Sequence, residues 1–196
     1  CGIPAYQSLV RAEVMQGVLD LAIEANMRRG DDFSYSVHSS PFLSLNRNRI
    51  MYQGLDSDWI LMWDDDIQIK DKGFLNKMIQ AAYKFNAVAV GLPCRLKSND
   101  EVVLNFADKK GDKYENYHEC PKEIKQIDVI GTGVMLINAH WLKENWSTGP
   151  WFSVIDTETG AFPEDWNFCE HVKRKGGIII VVPIPTVHWG ETGFAF

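Results

Sequence analysis

Residues 59–66 read Trp59-Ile60-Leu61-Met62-Trp63-Asp64-Asp65-Asp66. The apolar run has the length of a strand and is too short for a helix. A strand apolar on both faces belongs inside a covered sheet, the arrangement of α/β proteins. Three carboxylates at its end concentrate negative charge at the carboxyl edge, where open α/β sheets place their ligands. Like charges at this spacing repel, so a cation is expected beside them. A hard divalent ion that takes carboxylates, waters and substrate phosphates suits the position. The plain alternative is a solvated turn or the acidic start of a helix.

Strand and helix patterns alternate outward from this run. Residues 2–5 read as a short strand and turn. Residues 8–29 carry Leu9, Ala12, Met15, Leu19, Ala22 and Ile23 at helical spacing, with Arg28 and Arg29 in the last turn and Gly30 as the stop. Residues 33–39 alternate like a strand, 44–54 and 74–85 read as helices, and 87–92 as a buried strand. The second half is less regular. Residues 99–121 are polar and suggest a hairpin or loop. Residues 124–130 and 134–138 read as strands around Gly131-Thr132-Gly133, 139–145 as a short helix, and 147–160 as a turn-rich segment with exposed aromatics. A helix over 163–175 closes on Gly176-Gly177, followed by a strand over 178–182. The expectation is α/β: a mainly parallel central sheet flanked by helices, with a smaller antiparallel portion in the second half.

A chain of 196 residues with 45% hydrophobic content supplies one sizeable core, so one domain over 1–196 is expected. A net charge of -6 argues against a broad nucleic-acid surface. No apolar run reaches the roughly 18 residues of a membrane span. The longest covers 178–185. The opening Cys-Gly-Ile-Pro has no leader-like character. Cys1, Cys94, Cys120 and Cys169 form no CxxC pair, which suits a reduced, cytoplasmic protein with inert thiols.

Beyond the aspartates, four groups carry chemistry. In Phe162-Pro163-Glu164-Asp165-Trp166 two acids open a helix; they either complement its dipole or supply a general base, and a helix start favours their ionised form. His188 follows a Pro-rich strand end and is either structural or a ligand better suited to manganese than magnesium. Asn46-Arg47-Asn48-Arg49 offers arginines for phosphate, or a solvated helix face. Gly131-Thr132-Gly133 allows close backbone approach to a ligand, or is a simple bend. No GxGxxG, GxxxxGK[ST] or GxSxG pattern occurs.

Taken in order, Ile3-Pro4-Ala5-Tyr6, Arg47-Asn48, Trp59 to Asp66, Gly131 to Ile137, Pro163-Glu164-Asp165 and His188 resemble the GT-A class of nucleotide-sugar glycosyltransferases across nearly the whole chain. More loosely, the chain is similar to the compact glycosyltransferase domains encoded by large algal viruses. The resemblance implies a metal-dependent, inverting transfer of a hexose-type sugar from a nucleoside-diphosphate donor, UDP by preference, to a hydroxyl of a glycan or other acceptor. It implies Mn2+, with Mg2+ as substitute, held by Asp66 and His188, with Asp64 on the metal or the ribose and Asp65 beside the donor. Pro4, Ala5 and Tyr6 would line the base, Arg47 would approach the base or diphosphate, and Gly133 would border the donor. Asp165 would be the catalytic base, with Glu164 its rival; Trp151, Phe152 and Trp166 would shape the acceptor side. The rivals are a sugar nucleotidyltransferase, an inactive nucleotide-sugar or sugar-binding module, and a metal-dependent phosphohydrolase.

Overall fold

The structure, a computed structural model, describes residues 1–5, 9–27, 32–97, 101–158, 160–189 and 194–195. The first half alternates: β1 (Gly2–Ala5), α1 (Ala12–Met27), β2 (Ser36–Ser39), α2 (Leu43–Gly54), β3 (Trp59–Trp63), β4 (Ile67–Ile69), α3 (Phe74–Phe85) and β5 (Ala87–Gly91). Then come β6 (Phe106–Lys110), β7 (Lys113–Asn116), β8 (Lys125–Gln126), β9 (Val129–Ile130), β10 (Val134–Asn138) and α4 (Ala139–Asn145). The chain continues through β11 (Ile155–Thr157), β12 (Gly160–Phe162), α5 (Glu164–Arg174), β13 (Ile178–Val181), β14 (Thr186–His188) and β15 (Phe194–Ala195).

The large sheet has seven strands in the order β2-β1-β3-β10-β5-β13-β8. Strands β2, β1 and β3 are parallel, as are β5 and β13, but β10 runs antiparallel to both β3 and β5. The antiparallel portion therefore includes a central strand. Its direction follows from the path between β5 and β10. Asn105 N donates to Cys94 O and Gly131 N to Asn105 O, which keeps this excursion at the carboxyl edge where β5 ends. Strand β10 starts at that edge and must run back. A parallel return would need a crossover of a dozen or more residues.

Alternate residues of the central strands feed two cores, as period-two geometry requires. Ile60, Met62, Met135, Ile137, Ile179 and Val181 pack with Ile50 and Met51 of α2, Leu142 of α4 and Phe168 of α5. Leu61, Trp63, Val134, Leu136 and Ile180 face α1 and α3. On α3, Phe74, Met78, Ala81 and Ala82 form the buried stripe at helical spacing.

Helix α1 buries a different stripe from the one its pattern suggests. Val14, Val18 and Leu21 are inside, while Leu19 and Ile23 are 45% and 58% exposed. Gly17 explains the rotation. A Cβ there would lie 2.5 Å from the Trp63 ring, so the missing side chain lets this face close onto the sheet. The expected ends of this helix at Ser8 and at Arg28-Arg29-Gly30 lie outside the described residues, as do Asn99 and Gly190.

The polar stretch after β5 contains the β6–β7 hairpin, turned by Gly111 at φ 62°. Residues 124–130 are split between β8, on the large sheet, and β9, which pairs with β6. Among the described residues no helix is long and apolar enough to cross a membrane.

Candidate functional site

The three aspartates leave β3 at its carboxyl end in a turn, with Asp64 N donating to Gly133 O at 2.9 Å. Strand β4 follows at once and pairs antiparallel with β14, with Ile67 opposite His188. That register, rather than any sequence proximity, sets His188 beside Asp66. His188 Nε2 lies 3.4 Å from Asp66 Oδ2. On the other side of the ring, Nδ1 lies 2.6 Å from the Arg95 carbonyl oxygen. A carbonyl only accepts, so Nδ1 carries a proton in this bond, and Nε2 is the ring atom turned toward the carboxylate.

Lys97 Nζ donates to the same Asp66 Oδ2 at 2.5 Å. Burial opposes ionisation of Asp66, yet His188 and Lys97 together hold its carboxyl below the usual value. A carboxylate oxygen and an imidazole nitrogen suit a divalent cation that retains waters and takes phosphate oxygens. The ammonium already drawn to Asp66 indicates the charge this position accepts. The donors are a pair: among the described residues no group of three or more His, Cys, Asp or Glu is arranged to hold a metal.

The second acidic centre joins β3 to the start of α5. Arg47 of α2 is 3% exposed, donates from Nη1 to Glu164 Oε1, and lies 3.4 Å through Nη2 from Asp64. Its Nε is buried without a partner among the described residues. Arg47 thus ties two acids together. Burial, helped by Asp66, raises the Asp64 pKa even though Arg47 pulls the other way.

Asp165 accepts from Trp166 N at 2.8 Å and from Thr132 N at 3.4 Å. Burial and the neighbouring Glu164 push its pKa up to about 6, against Arg47 and the two backbone donors. The ionised form expected from a helix start alone is therefore opposed by desolvation. A Cβ on Gly131 would meet Asp165 Oδ2 at 3.3 Å, so this glycine gives the carboxylate its room. Gly133 has Cys94 Sγ 3.2 Å from its notional Cβ and serves the turn through its carbonyl.

The remaining residues separate. Trp151 and Phe152 are 0% and 1% exposed and belong to the core, not to a surface an acceptor can reach. Asn48 secures them there: its Oδ1 accepts from both backbone amides, and its Nδ2 donates to Phe152 O at 2.7 Å. Trp166 is half-buried against Tyr114, with ring centroids 5.0 Å apart. Pro4 and Ala5 are buried in β1, and Tyr6 lies outside the described residues. Asp65 sits mid-turn, with its carbonyl accepting from Arg11 N at 3.1 Å. Lys97 was not legible as a site member, and neither the pairing of Arg47 with Glu164 nor the bond from the Thr132 amide to Asp165 was; the one signal for Lys97 was its place past the carboxyl end of β5. All four cysteines are free thiols, and burial pushes the Cys94 thiol up to about 12.

Fold and site together define an α/β protein with an acidic, carboxylate-and-imidazole centre at the carboxyl edge of a mixed sheet. No protein-family model matches the chain. No curated protein matches it either. Among solved structures it is similar to A197 from STIV, with 16% identity over 96% of this chain and 84% of that one and a TM-score of 0.64, a likeness of fold. Another similar structure is a glycosyltransferase involved in the glycosylation of the major capsid of PBCV-1, with 18% identity over 92% of this chain and 80% of that one and a TM-score of 0.46.

Proposed function

We propose that the chain is a metal-dependent glycosyltransferase that takes a hexose-type sugar from a nucleoside-diphosphate donor, UDP by preference, and places it on a hydroxyl of a glycan or similar acceptor with inversion. The observation that carries this reading is a division of labour at one sheet edge. Asp66 and His188 form a cation-seeking pair, while Asp165 is a separate half-buried carboxyl whose pKa of about 6 suits a base near neutral pH.

Asp66 and His188 would hold Mn2+, or Mg2+ in its place, with Asp64 within electrostatic reach of both. The ion, when bound, would offset the negative charge that develops on the departing diphosphate. Asp165 takes the proton from the acceptor hydroxyl. The hydroxyl oxygen bonds to the anomeric carbon as the bond from that carbon to the diphosphate oxygen breaks. Two backbone amides hold the Asp165 carboxylate in place. Arg47 engages Glu164, which leaves Asp165 the better base of the two. Trp166 borders the acceptor side.

A thermal-shift panel of nucleotide sugars with and without Mn2+, followed by product analysis, tests the proposal. Selective stabilisation by one donor in the presence of Mn2+ and a glycosylated product are expected. Pyrophosphate as product would point to a nucleotidyltransferase, and free phosphate to a hydrolase. Binding without turnover would point to a binding module.

A further inference from the structure

Arg11 and Trp189 have no part in the chemistry above, yet both are fastened to the aspartate turn. Arg11 N donates to Asp65 O at 3.1 Å, and Trp189 N donates to Asp66 O at 2.8 Å. Between them the Arg11 guanidinium carbon stands 5.2 Å from the centre of the Trp189 ring. A guanidinium over a ring face is held by the cation–π attraction while its N–H edge stays able to engage a planar or tetrahedral anion. Among the described residues no carboxylate forms an ion pair with Arg11, whose side chain is exposed. The Trp189 indole Nε1 is buried with no acceptor among the described residues. A buried donor without a partner is costly, so its persistence at this turn calls for an acceptor.

These are two independent observations of unspent donor capacity, one a fixed cation and the other an orphaned N–H. Arg11 adjoins Asp65, and Trp189 adjoins Asp66, whose own charge already engages Lys97 and His188. The Asp66 carboxylate is thus partly neutralised by Lys97 and His188, while two further donor groups are fastened to the same turn. A diphosphate carries several negative charges and many acceptor oxygens, and arginine matches its geometry.

We propose that Arg11, braced by Trp189 against the Asp65–Asp66 turn, is a phosphate ligand for the donor's diphosphate. This rests on the nucleotide-sugar reading of the site. Arg11 binds and orients, and no bond is made or broken through it. Trp189 is a positioning residue that holds Arg11 in place and supplies its indole N–H.

The test is isothermal titration of wild type, Arg11→Ala, Arg11→Lys and Trp189→Phe with UDP and with inorganic pyrophosphate, each in Mn2+. Unliganded melting temperatures are measured alongside. Arg11→Ala is expected to weaken both ligands about ten-fold, the loss of one charge-assisted contact. Arg11→Lys should recover part of that affinity, and Trp189→Phe should lose less than Arg11→Ala because the ring face remains. Unchanged UDP affinity in Arg11→Ala overturns the proposal while leaving the donor reading intact. Arg11-dependent pyrophosphate binding with no preference for UDP keeps the anion site and removes the nucleotide reading. A wild type that binds neither removes both. Equal losses in Arg11→Ala and Arg11→Lys with a fallen unliganded melting temperature would mark Arg11 as a structural pin and also overturn the proposal.

Discussion

At the scale of single residues, Asp165 has the most to say about pH. Its carboxyl holds a proton up to about pH 6, whereas an exposed aspartate in the unfolded chain releases its proton near 4. Between those values the folded state binds more protons than the unfolded state, so stability falls as pH rises and the penalty is fully present above about 6. Turnover runs the opposite way, because a base acts only when ionised. The rate should therefore rise along a limb centred near pH 6 just where the fold loses stability. Asp165→Asn is expected to lose transfer at every pH, to retain donor binding, and to show a smaller drop in urea midpoint between pH 5 and pH 8 than wild type. Near-normal turnover in this variant would move the base elsewhere. The acids at 164 and 165 were visible in the sequence, but their different fates were not. Which one met Arg47 and which one met two backbone amides depended on how α5 docks against α2 and the Gly131–Gly133 turn.

At the scale of elements, Asn48 shows how α2 organises the segment after α4. One amide side chain serves the backbone of Trp151 and Phe152, donating to one carbonyl and accepting from two amides, and also donates to Ser44 O. Asn48→Ala strands those groups in a mostly buried setting and is expected to cost about 2–4 kcal/mol, read from urea unfolding. Gly17→Ala sets two effects against each other. Alanine improves a helix interior by about 1 kcal/mol, but a Cβ 2.5 Å from the Trp63 ring overpacks at about 1–3 kcal/mol. Overpacking should win, and the melting temperature should fall. The elements legible in the sequence were those with long, clean patterns: the run 59–63, the stripe from Phe74, and the strand at 134–138. Strands β4 and β14 were not legible, since three residues are too few to show a period, and they are the elements that bring His188 to Asp66. The stripe of α1 was misread because two apolar faces compete along it, and the close approach at Gly17 decides between them.

At the scale of the whole molecule, the candidate site is assembled from segments far apart in the chain. The turn after β3 provides Asp66, and the β4–β14 pairing provides His188, so a bound cation would bridge segments that are far apart in sequence. A ligand that binds only the folded state adds stability by mass action, about 2.7 kcal/mol at a hundred times its dissociation constant. Mn2+ is therefore expected to raise the melting temperature of wild type progressively with concentration, and EDTA to reverse the rise. His188→Ala should abolish most of that dependence and, in metal-free buffer, cost only the ring's bond to the Arg95 carbonyl, because Lys97 continues to satisfy the Asp66 carboxylate. Asp66→Ala should also lose the metal response. An unaltered Mn2+ titration in His188→Ala would return the histidine to a purely structural role, with its ring simply tying β14 to the Arg95 carbonyl. The two variants together separate a shared ion from a shared hydrogen bond, because only an ion makes the loss of either partner erase the same concentration-dependent shift.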